Sequence, residues 1–568
     1  MFIDGLISIR VARNLAIAAC VALIVASSAD SGFAQRSSKG RTADLGPQVK
    51  QVNAMVRAVW SDYEIRPSKP ATDGEWCRRL FLDVIGRTPT VVELDAFLKD
   101  KSANKRRDLV RSLLYDDKYT EDYARNWTTI WTNILIGRSG GTERNTMISR
   151  VGMQKYLRDS FARNKPYDRI VHELVTATGS TSPDAEDFNG AANFLVMKVN
   201  EEKATLATAA TAKTFLGLQV QCTQCHDHPF NEWKQAKFWQ MNAFFRQARA
   251  QRTGQRNAGM GGTLVDVDFK GEDAQGAREA SIYYELRNAE LEVAYPTFVT
   301  GQEASSRSGV VSEVNRRVEL ADMMLKSEYL ERTVANRYWA HFLGYGFTKP
   351  IDDLGPHNPA SHPELLDYLG GQVRENSFNL KELVTWIVLS EPYSLSSKMT
   401  EKNRIDDPLL GELPKFSHFY LRGMRAEELY ESLVSATRAS AGGNYEAQER
   451  AKARWLGQFV TAFGNDEGEE TTTFNGTIPQ SLMMFNGDLI RQATKKEKGG
   501  LLWQVATSKL ENRERIDYLF RAALSRNASD KEYEAAGQLL LYNEGDGMAA
   551  VQDIWWAVLN SNEFIINH

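Results

Sequence analysis

Cys222-Thr-Gln-Cys225-His226 sets two thiols three positions apart, with an imidazole directly after the second. At that spacing both sulfurs can form thioethers to one porphyrin while the histidine becomes an axial iron ligand, the arrangement of a c-type haem. The chain holds only 4 Cys and 8 His in 568 residues, so a compact cluster of both is informative. Two other readings of these residues stay open. Cys222 and Cys225 can close a short disulfide in an oxidising compartment. Cys222, Cys225, His226 and His228 can bind zinc or another metal, although they lack a distant second ligand pair. A haem also needs an apolar wall, which Trp233, Phe238, Trp239, Phe244 and Phe245 could supply. Ordinary core packing of an aromatic helix explains those five as well. Met197, Met241, His172, His357 and His362 are candidates for a sixth iron ligand, whereas His228 lies too close to His226 to reach the opposite face.

A second group gathers Asp352, Asp353, His357, Asn358, His362 and Glu364. Asp352, Asp353, His357 and His362 could hold a divalent metal, or carboxylate and imidazole together could run the acid–base chemistry of a metal-dependent hydrolase. The plainer expectation is structural. Ser361-His-Pro-Glu364 fits a capping box with Pro363 in the first helical turn. Asp352 and Asp353 then bond loop amides, and Arg337 pairs with one of them.

The elements that must position these residues are mainly helical. Three-to-four spacing of apolar residues predicts helices over 105–114, 119–134, 153–161, 167–176 and 204–216, the last running almost into Cys222. Thr90 and Glu93 form a capping box that opens a helix over 91–98. Residues 249–304 change character. Segments 263–269, 281–287 and 291–299 alternate and carry β-branched or aromatic residues, with a turn at Asn288-Ala289-Glu290. Helix returns from about 312, with elements expected at 316–326, 330–342, 363–375, 380–390, 426–436, 447–463, 515–523, 530–542 and 548–559. The fold class is therefore mainly α, two helical modules with a small β-rich insertion between them.

Residues 1–34 read as a secretory signal: Arg10 and Arg13 precede an apolar run, and Gly32-Phe33-Ala34 suits cleavage before Gln35. A lipoprotein signal with a lipidated Cys20 is the rival reading, and an uncleaved anchor a third. Residues 35–45 form a polar, flexible lead-in. Export to the periplasm, cell surface or medium agrees with haem attachment, and no later stretch is apolar enough to span a bilayer. Without Cys20 the chain keeps Cys77, Cys222 and Cys225, and an odd count argues against a disulfide framework. Cys77 reads as a small buried hydrophobe in a core helix. The formal charge of −4 gives no basic excess and there is no nucleic-acid motif, so nothing points to a nucleic-acid partner.

Three stretches carry a family resemblance. They are Arg78-Arg-Leu-Phe-Leu-Asp-Val-Ile-Gly86 with Thr88-Pro-Thr90; Phe215-Leu-Gly-Leu-Gln-Val-Gln-Cys-Thr-Gln-Cys-His-Asp-His-Pro-Phe230; and Asn336-Arg-Tyr-Trp339 through Asp352 to Asp367. Arg422–Leu433 and Thr477–Asn486 add weaker matches. Together they resemble the planctomycete cytochrome-c-like family, in which domain of unknown function 1549 is paired with domain of unknown function 1553. The resemblance implies a cytochrome-c-like module over 46–248, the β-rich insertion over 249–304 and the second module over 305–568. It also implies haem c at Cys222 and Cys225, with His226 on the iron. Relatives often carry a separate cytochrome-c domain, and the single CxxCH here argues against a multi-haem wire. The expected role is extracytoplasmic electron transfer or redox chemistry with a redox partner protein or cell-surface component. The alternatives are a non-redox binding or structural protein with a Cys222–Cys225 disulfide, and the hydrolase built on 352–364.

Overall fold

Helix starts are set by local side-chain chemistry. Thr90 accepts from the Glu93 amide at 3.3 Å while the Glu93 carboxylate accepts from the Thr90 amide at 2.8 Å, so the expected capping box opens Val91–Lys99. Thr72 and Glu75 repeat the device ahead of Asp73–Ile85. The computed structural model describes residues 45–568 apart from 142, 144, 201–202, 230, 232, 254–260, 270–279, 306–313, 408–409, 438–444, 464–487 and 499. The signal, Cys20, most of the lead-in, Phe230 and Thr477–Asn486 therefore lie outside the described residues.

The chain is mainly α with short strands, as expected. Tyr167–Thr176, Arg316–Lys326, Pro363–Glu375 and Asp530–Tyr542 have the expected bounds, and the other expected helices differ at their ends. The strands are shorter than their alternating patterns. β1 (Gly179–Ser180), β2 (Ala248–Thr253) and β3 (Gly261–Asp266) form an antiparallel sheet in the order β1-β3-β2. β1 comes from within the first helical stretch, so this sheet ties that stretch to the β-rich segment. β4 (Ile282–Glu285) and β5 (Leu291–Ala294) make the expected hairpin, with Ala289 in the left-handed region at φ 66°. β6 (Arg422–Gly423) pairs with β7 (Ile566–Asn567).

Two apolar cores share one helix. The larger runs from Val49 to Tyr420, and the smaller is built mostly from 424–565 but also takes in Leu82 and Val91. Asp73–Ile85 is enclosed on nearly every side: every residue from Trp76 to Ile85 is buried, charged ones included. It is therefore a central rather than a surface helix.

Three buried charges on this helix hold the second half of the chain. Arg78 donates to the carbonyls of Ala523 and Phe564, the first in the last turn of Asn512–Leu524, where the helix dipole favours a cation. Arg79 donates to the carbonyls of Tyr393, Leu395 and His568, and its guanidinium lies 3.5 Å from the Phe419 ring centroid. Burial pulls both arginines down to about 10, which leaves them cationic near neutral pH. Asp83 accepts from Arg422, from Tyr393 Oη at 2.7 Å and from Asn567 Nδ2 at 2.7 Å.

Removing Asp83 takes from Arg422 the carboxylate with which it pairs among the described residues. Asp83→Ala should cost ~3–5 kcal/mol, read as a lower urea midpoint with unchanged slope. Burial pushes the Asp83 carboxyl up to about 6, against the pull of Arg422. Its folded value thus exceeds the ordinary 3.8, so its stabilising contribution is complete below that value and is lost as pH rises through about 6. Relative to Asp83→Asn, the wild-type chain should lose stability between about pH 4 and about pH 7. A flat difference would place that proton on another group.

Candidate functional site

The CxxCH segment leaves the first module through a change of helix type. Thr205–Thr211 is α-helical, the next turn over Ala212–Leu216 is a π-helix, and Gly217 stops it in the left-handed region at φ 64°. A Cβ on Gly217 would come within 2.9 Å of the Leu354 side chain, so the position is closed by conformation and by space. Gln221–Gln224 then forms a 3₁₀ turn, closed by Thr223, whose hydroxyl donates to the Val220 carbonyl at 2.6 Å. Residues three apart in such a turn eclipse. Thr223 faces inward, while Cys222 and Cys225 both face solvent as free thiols.

The residues after the motif are fixed by their own loop. His226 Nδ1 lies 2.6 Å from the Asp227 carbonyl. If Nδ1 carries the proton, Nε2 keeps its lone pair. The Asp227 carboxylate accepts from the Gln235 amide at 2.9 Å and Lys234 Nζ at 3.0 Å, and these bonds hold its pKa below the usual carboxylate value. Asp227 thereby caps Gln235–Asn242, whose own N-cap, Lys234, gives no side-chain bond. The His228 amide donates to the Trp233 carbonyl at 2.8 Å.

Beneath the turn, Trp239 Nε1 donates to the Gln224 carbonyl at 3.1 Å, and its ring stacks on Tyr284 of the hairpin at 5.8 Å. Gln235 Nε2 donates to the Glu285 carbonyl at 2.9 Å. Phe238, Trp239, Phe244 and Phe245 belong to the large core, and Trp233 is half-buried against it.

The second constellation docks against the first. The Leu354 amide donates to the Gly217 carbonyl at 2.6 Å, and Gln219 Nε2 donates to Asp352 Oδ1 at 2.7 Å. Lys213 Nζ stands 3.4 Å from Asp352 Oδ2. His357 approaches His228, with ring centroids 6.1 Å apart. Asn358 shapes the loop by donating from Nδ2 to the Asp353 carbonyl at 2.8 Å.

Several expectations are corrected here. The helix over Pro363–Glu375 has His362 as N-cap with no side-chain bond, so Ser361 and Glu364 form no capping box, although Pro363 does sit in the first turn. The Ser361 hydroxyl instead meets His362 Nδ1 at 3.0 Å. The side chain of Asp352 reaches Gln219 and Lys213, and that of Asp353 reaches His357 Nε2 at 3.0 Å, rather than loop amides. Arg337 forms no ion pair with either aspartate among the described residues, and Lys213 takes that place because the CxxCH approach lies closer. His362 does not join Asp352, Asp353 and His357. It is packed on Phe347 and Phe416, and burial first, then Lys415, brings it down to about 4. Among the described residues no group of three or more His, Cys, Asp and Glu side chains is arranged to hold a metal ion.

Of the proposed sixth ligands, Met241 is buried in the core and His362 in its aromatic surroundings, whereas His357 is brought to the motif segment. The sequence reading missed Gln219, Lys213 and Gln235. The partners of the first two lie far along the chain, but Asp227 ahead of a helix start was a readable signal for the third.

Thiol chemistry separates the two kinds of cysteine. Burial pushes the Cys77 thiol far above its ordinary value. In a chain beginning at Gln35 and made without haem attachment, Cys222 and Cys225 should react with an aromatic disulfide reagent in the native state. Cys77 should react only with denaturant present. Three fast thiols would place Cys77 at the surface.

Comparison with known proteins adds the following. Residues 51–250 match the family PSCyt2, described as a protein of unknown function (DUF1549), and residues 316–540 match PSD1, described as a protein of unknown function (DUF1553). No curated protein and no solved structure matches the chain. With both modules present in tandem, the chain belongs to the uncharacterised family that pairs them.

Proposed function

We propose that the chain is an exported c-type haem protein acting in extracytoplasmic electron transfer or redox chemistry. The observation that carries this is the outward presentation of Cys222 and Cys225 from one face of a 3₁₀ turn, directly ahead of His226. The donor set fits haem c. Both thiols are open to attachment, and Nε2 of His226 can face iron while Nδ1 is braced by a backbone carbonyl. Cys222 and Cys225 would hold the group and His226 would ligate it. The haem would supply a one-electron couple. The exposed thiols and the core-packed aromatics favour a haem at the surface, with one edge toward a redox partner protein or cell-surface component.

The chain's own residues do the positioning. Asp227 closes the loop onto Gln235, Trp239 anchors the turn through the Gln224 carbonyl, and Asp352 holds the approach through Gln219 and Lys213. Among the described residues no helix is long and apolar enough to cross a membrane. Export rests on the leader read from the sequence.

The test is a pyridine haemochrome spectrum. The full chain is exported in a host with an active cytochrome-c maturation system, then denatured and acid-extracted. Haem should stay with the polypeptide, and Cys222→Ala should abolish or shift the covalent spectrum. No haem, beside a control cytochrome that matures normally, would overturn the reading.

A further inference from the structure

We propose that His228 and His357 form a two-imidazole site for a divalent transition-metal ion across the contact between the two modules. The site is distinct from the haem reading and does not rest on it. Five observations carry it. The rings of His228 and His357 lie close together, with centroids 6.1 Å apart and planes tilted by 44°. Two imidazoles that share one ion at ordinary metal–nitrogen lengths of about 2.0–2.1 Å can stand at such a separation.

His357 is also prepared as a ligand. Its Nε2 lies 3.0 Å from Asp353 Oδ1, the carboxylate brace that orients a metal-bound histidine and raises its basicity. Its other nitrogen, Nδ1, is buried and has no hydrogen-bond partner. A buried polar atom of this kind needs an explanation, and a bound cation supplies one. Gly355 stands beside this nitrogen. A Cβ there would stand 2.8 Å from Nδ1 and 2.7 Å from Cε1, so any side chain at this position would press on the nitrogen.

Finally, the two loops are already joined. The Leu354–Gly217 and Gln219–Asp352 bonds fix the second-module loop against the segment that leads to His228. The imidazole donors select borderline ions such as Cu²⁺, Ni²⁺ or Zn²⁺ over Mg²⁺ or Ca²⁺. Water would complete the coordination, since only two side chains of this chain ligate. Such an ion would staple the second module to the CxxCH segment.

The test uses the full chain with Cys222→Ala and Cys225→Ala, so that no thiol binds or reduces the probe. The probe is Cu²⁺, the tightest-binding ion of its series. One equivalent should bind, with electron paramagnetic resonance showing two equatorial nitrogens. His357→Ala and His228→Ala should each weaken binding at least tenfold, and Gly355→Ala should do so by crowding Nδ1. Asp353→Asn should weaken it by about 10–100-fold. His172→Ala, remote in sequence from both loops, should have no effect. His228 is only half-buried, so its variant remains informative if His357→Ala folds poorly. No copper binding, binding indifferent to His228→Ala, or binding equally sensitive to His172→Ala would overturn the proposal. Because this chain lacks both haem-attaching thiols, its copper binding is decided independently of the haem reading, which only the haemochrome spectrum of the wild-type chain can overturn.

Discussion

The Asp73–Ile85 helix can sit between two cores only because its buried charges are answered. Arg78, Arg79 and Asp83 are fully buried, and each uncompensated charge in such a place would cost several kcal/mol. The compensation comes almost wholly from residues hundreds of positions away. Arg78 uses carbonyls at 523 and 564, Arg79 those at 393, 395 and 568, and Asp83 uses Tyr393, Arg422 and Asn567. These charges therefore fix which parts of the second module return to this helix. Apolar packing alone does not specify that register, because it is non-directional. The β6–β7 pair follows from the same constraint. Arg422 and Asn567 are register partners in that ladder and both donate to Asp83.

The same device recurs nearer the candidate site. Arg317, buried at the start of Arg316–Lys326, makes paired bonds of 2.9 and 2.7 Å to Asp266 of β3, and donates to the carbonyls of Val175 and Ala177. The neighbouring Arg316 donates to the carbonyls of Ala243 and Ala280. The β-rich segment is thus tied to helices on either side of it in sequence. Its hairpin is in turn set under Trp239 and the CxxCH turn. The turn takes its position from these anchors, from the Asp352 loop and from the core residue Trp239 beneath it.

What could be read from the sequence was what depends on neighbours in sequence. The Thr90–Glu93 box, the bounds of Tyr167–Thr176 and Asp530–Tyr542, and the hairpin around Asn288–Glu290 all rest on interactions a few residues long. The failures differ in cause. Ser361 and Glu364 satisfy a local capping rule, yet Ser361 turns to His362. Asp352 has its own loop amides close in sequence, yet it reaches Gln219, 133 positions earlier. The two chemistry-bearing groups were both visible, but their convergence was not, because a pairing of His228 with His357 leaves no mark in spacing or periodicity. The aromatic run after the motif was ambiguous for another reason: a wall for a flat ligand and a wall of a core use the same residue types.

The arrangement separates chemistry from stability. Cys77 lies in the most buried helix, where a change of volume disturbs close-packed neighbours. Cys222 and Cys225 stand in solvent on a turn closed by Thr223 and Trp239, so neither sulfur is needed to hold the turn. Substitutions at such exposed positions ordinarily change stability by no more than about 0.5 kcal/mol. The motif is therefore presented by the fold without being part of its support. A group of the kind proposed would reach these sulfurs from outside, without reopening the core. His357 stands on the opposite side of this division. Its ring is held by Asp353 and packed against Gly355, so this imidazole is placed by the second module.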